Sequence, residues 1–436
     1  MIGFGWLVII FGISFWYYLS KSHIKHYRWF LPNLGFRVLF GLLFAIAYSI
    51  ILTEGGDTIA YHDGAYHLSN LFWERPWDYF VELFTTPSSQ TISERFSVTT
   101  GYPPPWIYKE PESFFICKLM SVISILSFNS YAAMTIICAT FSAFASWKLY
   151  TTLIGIEFCP KWIIVVSTMF IPTVAFWCSG ISKDTFVLGS FYFVFSFMFP
   201  VFFLRKKITL SQLVGLVIFS FILFHTRSFM LIAIALPLIS SLIVRWGKRV
   251  SNNPILINFY RLMIAGVILL ALSIYSQGSL GPGLVENNEI LNEVVVIQKD
   301  FAQNKLYTGY RYDLGIDDYS AWGLLKATPI AIVTAFFRPF LWEANSAFLI
   351  ISGLESTLLI ILAIKFFFFS GKFTKHISYI HRQEFLVFAI MFALVFGFFV
   401  GFTSGLFNVL VRFKAPILVF IIIYFSSRRP KESYLE

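Results

Sequence analysis

The chain has 436 residues, of which 57% are hydrophobic and only 13% charged, with 53 phenylalanines and a mean hydropathy of +0.74. That composition excludes a soluble globular protein of this length and points to an all-α polytopic membrane protein. The net charge of +10 does not indicate nucleic acid, because the basic residues sit in short clusters between apolar runs, where membrane orientation accounts for them.

The first apolar run, 2–19, lacks a basic leader and a small-residue cleavage site, so it reads as a retained transmembrane helix. Crossing about 30 Å of hydrocarbon takes about 20 residues. Runs of that kind recur at 33–53, 130–151, 161–180, 184–204, 208–225, 227–245, 258–276, 346–368, 383–402 and 404–426, which predicts about 11 spans in one integral membrane domain, 1–436. Two shorter runs, 113–128 and 325–341, read as interfacial or re-entrant. With that assignment the clusters Lys21/Lys25/Arg28, Arg205/Lys206/Lys207, Arg245/Lys248/Arg249, Lys365/Lys372/Lys375/Arg382 and Arg428/Arg429/Lys431 all fall on the cytoplasmic side. The N-terminus is then outside and the C-terminus inside. If both short runs cross, the count is 13 and the loops between them invert. Cys117, Cys138, Cys159 and Cys178 lie in or beside apolar runs without CxxC spacing, so neither a disulfide framework nor a zinc site is indicated.

Two long segments then face the outside, 54–112 and 277–345. The first opens with Glu54-Gly-Gly-Asp57 and continues through Tyr61, Asp63 and His67, an acidic and aromatic helical face at the membrane surface. Such a face suits either a catalytic carboxylate held above the lipid or a solvated interfacial helix. Trp73, Trp77, Tyr79, Phe80 and the rigid turn Gly101-Tyr-Pro-Pro-Pro-Trp106 follow, suited to the headgroup belt or to stacking on sugars.

The hairpin Phe176-Trp-Cys-Ser-Gly-Ile-Ser-Lys-Asp184 is expected at the outer surface. Ser182 and Asp184 fit a helix start, but Lys183 opposes both the helix dipole and the positive-inside bias, which makes an anionic ligand plausible. His225-Thr-Arg227 repeats the anomaly. In the second outer segment an amphipathic helix is predicted over 288–301, followed by Tyr307-x-Gly-Tyr-Arg311-Tyr and Asp317-Asp-Tyr. Lys326 and Phe336-Phe-Arg338-Pro-Phe-Leu-Trp-Glu343 lead into a span containing Glu355, which matches the depth of Arg412 in the last span and predicts an ion pair. Lys183, Arg227, Arg311, Lys326, Arg338, Arg412 and Lys414 thus form an outward surplus of cations, a pattern that a lipid-linked phosphate explains.

An acidic residue opening the first long outer loop, many helices and a second outer loop together resemble the GT-C superfamily of membrane glycosyltransferases. Gly56-Asp57-x-x-x-Tyr61 and the outward arginines also look like Wzy/EpsG-type polysaccharide polymerases, and WCSGISKD, FRPFLWE and GFTSGLFNVLVRFKAP look like elements of membrane proteins from bacterial polysaccharide loci. The resemblance implies a polyprenyl-(di)phosphate-linked glycan donor, a glycan acceptor and a place in the bacterial cytoplasmic membrane. By position it makes Asp57 the loop carboxylate, with Asp63 as a second acidic member at an unusual six-residue spacing. Arg227, Arg338 and Arg412 become phosphate-binding residues, joined by Tyr61, His67, Lys183 and Arg311 as substrate contacts. No cofactor is implied. A divalent metal on Asp57, Asp63 and His67 would lack a companion cluster. No histidine lies between His225 and His376, which argues against a ligase. The rival reading is a transporter or flippase for the same lipid-linked glycans, against which stand the absence of an internal repeat and of matched broken helices.

Overall fold

The computed structural model describes residues 2–51, 56–250, 310–315, 321–369 and 383–428. Among them every regular element is helical, and the one extended pairing is an isolated bridge between Arg311 and Leu406. Among the described residues, seven helices are long and apolar enough to cross a bilayer, or eight if one bent pair is a single span. The chain has the architecture of a multi-pass α-helical membrane protein.

The elements, in order, are α1 (Ile2–Ser20), α2 (Phe30–Ile46), α3 (Asp57–Glu74), α4 (Pro76–Phe84), α5 (Ser89–Arg95), α6 (Pro105–Tyr108), α7 (Pro111–Leu126), α8 (Tyr131–Leu153), α9 (Lys161–Met169), α10 (Pro172–Trp177), α11 (Lys183–Phe202), α12 (Leu210–Val250), α13 (Ala321–Phe337), α14 (Ala347–Phe369), α15 (Glu384–Thr403), α16 (Phe407–Phe413) and α17 (Ala415–Phe425). Where the apolar runs do not yield straight spans, a break is responsible. The run 161–180 divides into α9 and α10 ahead of Pro172, which has no N–H to continue the ladder. The runs 208–225 and 227–245 join in α12, whose backbone leaves the helical region at Arg227 (φ −154, ψ 80). The last run, 404–426, becomes α16 and α17, bent by 64° at Lys414. The expected spans at 258–276 and the amphipathic helix at 288–301 lie outside the described residues.

Two compact units form. The first comprises Met1–Gly155, Val165–Phe199 and Ile208–Phe229. In it α1, α2 and α8 pack side by side around a polar seam. Asn33 donates to the carbonyl of Ala143 (2.8 Å) and accepts from Ser146 (3.0 Å). The short run 113–128 is α7, which packs along α3 with Gly64 against the Cys117 thiol. Their core of Ala65, Leu68, Phe114 and Met120 is continuous with Met134, Cys138, Ile181 and Phe186 of the membrane helices.

Glycines set the depth of the 177–184 hairpin. Gly3 meets Ala132, so α1 and α8 begin at one level. Gly41 fits between Ala139 and Ser179, where a Cβ would come within 2.7 Å of the Ser179 carbonyl. The stretch of α8 from Ala132 to Ala139 rises about 10 Å, so the hairpin is sunk about that far below the start of α1 and α8. Asp184 is buried there, whereas Lys183 reaches the half-exposed Glu112.

The second unit comprises Ile156–Ile164, Pro200–Lys207 and Met230–Glu436. Here the other short run, 325–341, is α13, packed along the spanning α15. Gly401 lies so close to Ala331 that a Cβ would fall 1.9 Å from its carbonyl oxygen. Phe388, Phe392 and Phe396 stack along α15, and the first two meet Phe420 of α17. That aromatic column is the unit's core.

Candidate functional site

Helix α3 presents its candidate residues on two faces, not one. Asp57 stands in its first turn, where a carboxylate suits the helix dipole, and is exposed. Asp63 is also exposed, but six residues of helix turn it about 120° away from Asp57. Tyr61 turns inward at 4% exposure, with its hydroxyl 3.5 Å from Ser113 Oγ. His67 Nδ1 lies 3.0 Å from the Thr100 carbonyl and its ring packs on Gly101, so it holds the start of the Pro-Pro-Pro turn. The expected single face is therefore split, with Asp57 and Asp63 exposed on different sides of the helix, Tyr61 buried and His67 partly buried. Among the described residues no three His, Cys, Asp or Glu side chains group as a metal site.

The sunken hairpin supplies the second part. Lys183 pairs with Glu112 at the start of α7. Asp184, 2% exposed, accepts from Arg227 Nη2 at 2.8 Å, and Arg227 sits at the break in α12 beside His225, whose ring stacks on Phe115. Both anomalous cations of this unit thus have carboxylate partners. The argument from surplus charge overlooked these pairs because Glu112 and Asp184 are remote in sequence from Lys183 and Arg227, respectively. Asp57, Lys183 and Arg227 belong to the same compact unit.

Sequence reasoning also missed Arg37. It lies near the middle of α2, 1% exposed, opposite the midpoint of α8. Nη1 donates to Ser142 Oγ and to the Val174 carbonyl, both at 3.3 Å, and Nη2 donates to the Thr168 carbonyl at 3.5 Å. Thr168 ends α9 and Val174 belongs to α10, so one guanidinium bridges both sides of the break at Pro172. Broken backbone is tolerated at membrane depth only where its polar groups are met. No carboxylate pairs with Arg37 among the described residues, while Nε, Ser179 Oγ and Tyr192 OH are buried without hydrogen-bond partners. An arginine inside an apolar run was the available signal.

In the second unit three motifs converge. Tyr310 to Tyr312 run beside Leu406 and Phe407, with Tyr312 N–H donating to Gly405 (3.1 Å) and Phe407 N–H to Tyr310 (3.0 Å). The rings of Tyr312 and Phe407 touch each other (5.2 Å between centroids), and the Arg338 guanidinium sits over both, 5.1 Å from the first and 5.2 Å from the second, while it donates to both oxygens of Glu343 at 2.5 to 3.1 Å. Lys414 Nζ, at the α16–α17 bend, donates to the Arg338 carbonyl (2.9 Å) and to Ser356 Oγ (3.0 Å). Glu355, the neighbour of Ser356, acts electrostatically on Lys414, a partner the depth match with Arg412 had not singled out. The Tyr312 hydroxyl donates to Gly401 at 3.1 Å, and burial pushes its phenol well above the usual range. Arg311 takes part in the bridge to Leu406. The fork of Arg338 is engaged within the protein, so a phosphate would have to displace Glu343.

Comparison with protein-family models, with curated proteins and with solved structures finds no match.

Proposed function

We propose that the protein is a membrane glycosyltransferase or polysaccharide polymerase. It would use a polyprenyl-(di)phosphate-linked sugar at the outer face of a bacterial cytoplasmic membrane. The observation that carries this reading is the composition of the first unit, in which the exposed carboxylate Asp57 opens a helix and the unit also holds a buried Arg227–Asp184 pair and a half-exposed Lys183–Glu112 pair. In the proposed reaction an acceptor hydroxyl attacks the anomeric carbon of the donor while Asp57 takes its proton. The bond from that carbon to the phosphate oxygen breaks, and the leaving phosphate carries away the electron pair. Lys183 meets the developing charge after the phosphate displaces Glu112, which is half-exposed and therefore the easier partner to release. Arg227, held by Asp184, is the second donor. For the second unit by itself, Arg311, Arg338 and Arg412 keep the phosphate-binding role that the resemblance implies, on condition that Arg338 leaves Glu343.

Asp57→Asn tests the reading. Asparagine keeps the size, and Asp57 stands one position inside the Gly56 cap, so loss of a helix-dipole role alone costs about 0.3–1 kcal/mol. Loss of a general base lowers turnover by about 10² to 10⁴. At matched protein level, donor binding is expected to persist while glycan formation falls by that factor. Near-wild-type glycan from the variant would overturn the assignment.

One observation favours the second reading, a flippase for the same lipids. Helical breaks occur before Pro172, at Arg227 and at Lys414, and discontinuous helices are a recurrent feature of transporters. A flippase moves labelled lipid-linked glycan across vesicles without acceptor and is indifferent to Asp57→Asn.

A further inference from the structure

Helix α4 has two contrasting faces. Inward, Tyr79 donates to or accepts from Ser121 Oγ at 3.0 Å. Fully buried Glu82 pairs with Arg95 and lies 3.7 Å from Lys118 Nζ, which also donates to the carbonyls of Glu82 and Thr85 at 2.6 Å each. Burial pulls the Lys118 ammonium below the ordinary lysine range, and Glu82 acts against that. This polar lock fixes the orientation of α4 on α7. Outward, Trp77 is 78% exposed, Phe80 49% and Phe84 88%. At about 100° per residue these three fall within one stripe about 60° wide. Trp73, at the end of α3 and likewise exposed, extends it.

So large an exposed aromatic stripe calls for a cover. Its position identifies the cover. Ser121, the partner of Tyr79, follows Met120, whose sulfur lies 3.7 Å from Cys138 Sγ, two turns inside the spanning α8. Helix α4 is therefore within about one helix width, roughly 10 Å, of a point inside a membrane span. Along α7 the exposed apolar surface continues through Val122, Leu126 and Phe128 to Ser130, the cap of α8. The stripe thus lies on a helix bound to α7, whose own exposed apolar surface leads to the start of a candidate span. Tryptophan and phenylalanine beside Arg75, which pairs with Asp78 at 3.9 Å, suit a helix lying in the headgroup layer.

We propose that α4 is a membrane-interface anchor, with Trp73, Trp77, Phe80 and Phe84 inserted at the headgroup and acyl boundary of the bilayer. It holds the α3–α7 layer, and with it Asp57, against the lipid. The inference concerns a lipid contact and stands whether or not Asp57 is a catalytic residue.

The test uses the full chain in phosphatidylcholine and phosphatidylglycerol vesicles, with an environment-sensitive fluorophore on a cysteine introduced as Trp77→Cys, Phe84→Cys or, as a solvent-facing control, Glu94→Cys. These positions are exposed, and the native cysteines are buried. At positions 77 and 84, emission is expected to be blue-shifted, quenched by a nitroxide carried on the lipid headgroup and shielded from aqueous iodide. Position 94 is expected to show the reverse. If iodide quenches position 77 as strongly as position 94, the stripe faces water and the proposal fails. If neither quencher reaches position 77, a protein surface covers it, and the proposal fails as well.

Discussion

Arg37 shows why a single buried residue can matter more than a conspicuous motif. Its three hydrogen bonds reach acceptors on α8, α9 and α10 at once, which a planar fork does and a lysine ammonium does not. Arg37→Lys is therefore expected to destabilise nearly as much as Arg37→Met, by about 1.5–3 kcal/mol, the value of one charged hydrogen bond, because all three contacts are long. Thermal unfolding in detergent measures it, and full rescue by lysine would show that charge alone is required. The cysteines give a second prediction at this scale. Burial pushes the Cys117 thiol up and the Cys159 thiol up to about 12. Only thiolate reacts, so raising the pH from about 7 to 9, across the ordinary cysteine value, should not increase maleimide labelling of the folded chain. Labelling should appear only after denaturation. Rapid labelling of folded protein at pH 9 would contradict the burial of these thiols.

At the scale of elements, the second unit is held by a clasp that joins Tyr312, Phe407, Arg338 and Glu343. A double-mutant cycle of Arg338→Ala and Glu343→Ala isolates it. Each single change is expected to lower stability, and their coupling should be about 1.5–3 kcal/mol, since removing either partner leaves the other half-buried and charged. Additive effects would mean that the Arg338 fork is not committed to Glu343, which would strengthen its phosphate-binding role. The clasp also shows how far motifs could be read from the sequence. FRPFLWE and GFTSGLFNVLVRFKAP stand out as polar interruptions of apolar runs, but Arg338 lying over the paired rings of Tyr312 and Phe407 depends on a fold that brings three separate stretches together.

For the whole molecule the decisive measurement is sidedness. Cysteines introduced at Tyr102 and Tyr310, both exposed, should react with an impermeant maleimide from outside the cell, and one at Lys206 should not. The native cysteines are buried, so the background is silent. Reaction at Lys206 from outside would invert the loops and remove Lys183 and Arg227 from the outer half of the membrane.

Composition by itself determined the class of this protein. A chain with so few charges and so many apolar runs has its helices and most of their positions set by the cost of leaving backbone polar groups unmet in lipid. It also marked Asp57, Lys183 and Arg227 as unusual. Only the tertiary structure decided that Lys183 meets Glu112, that Asp184 meets Arg227 across 43 residues, that Tyr61 meets Ser113 and His67 the Thr100 carbonyl, and that Arg37 bridges a broken helix. The reason is physical. Hydropathy is local and additive along the chain, whereas an ion pair or a clasp depends on distances between segments that only the packed helices bring together.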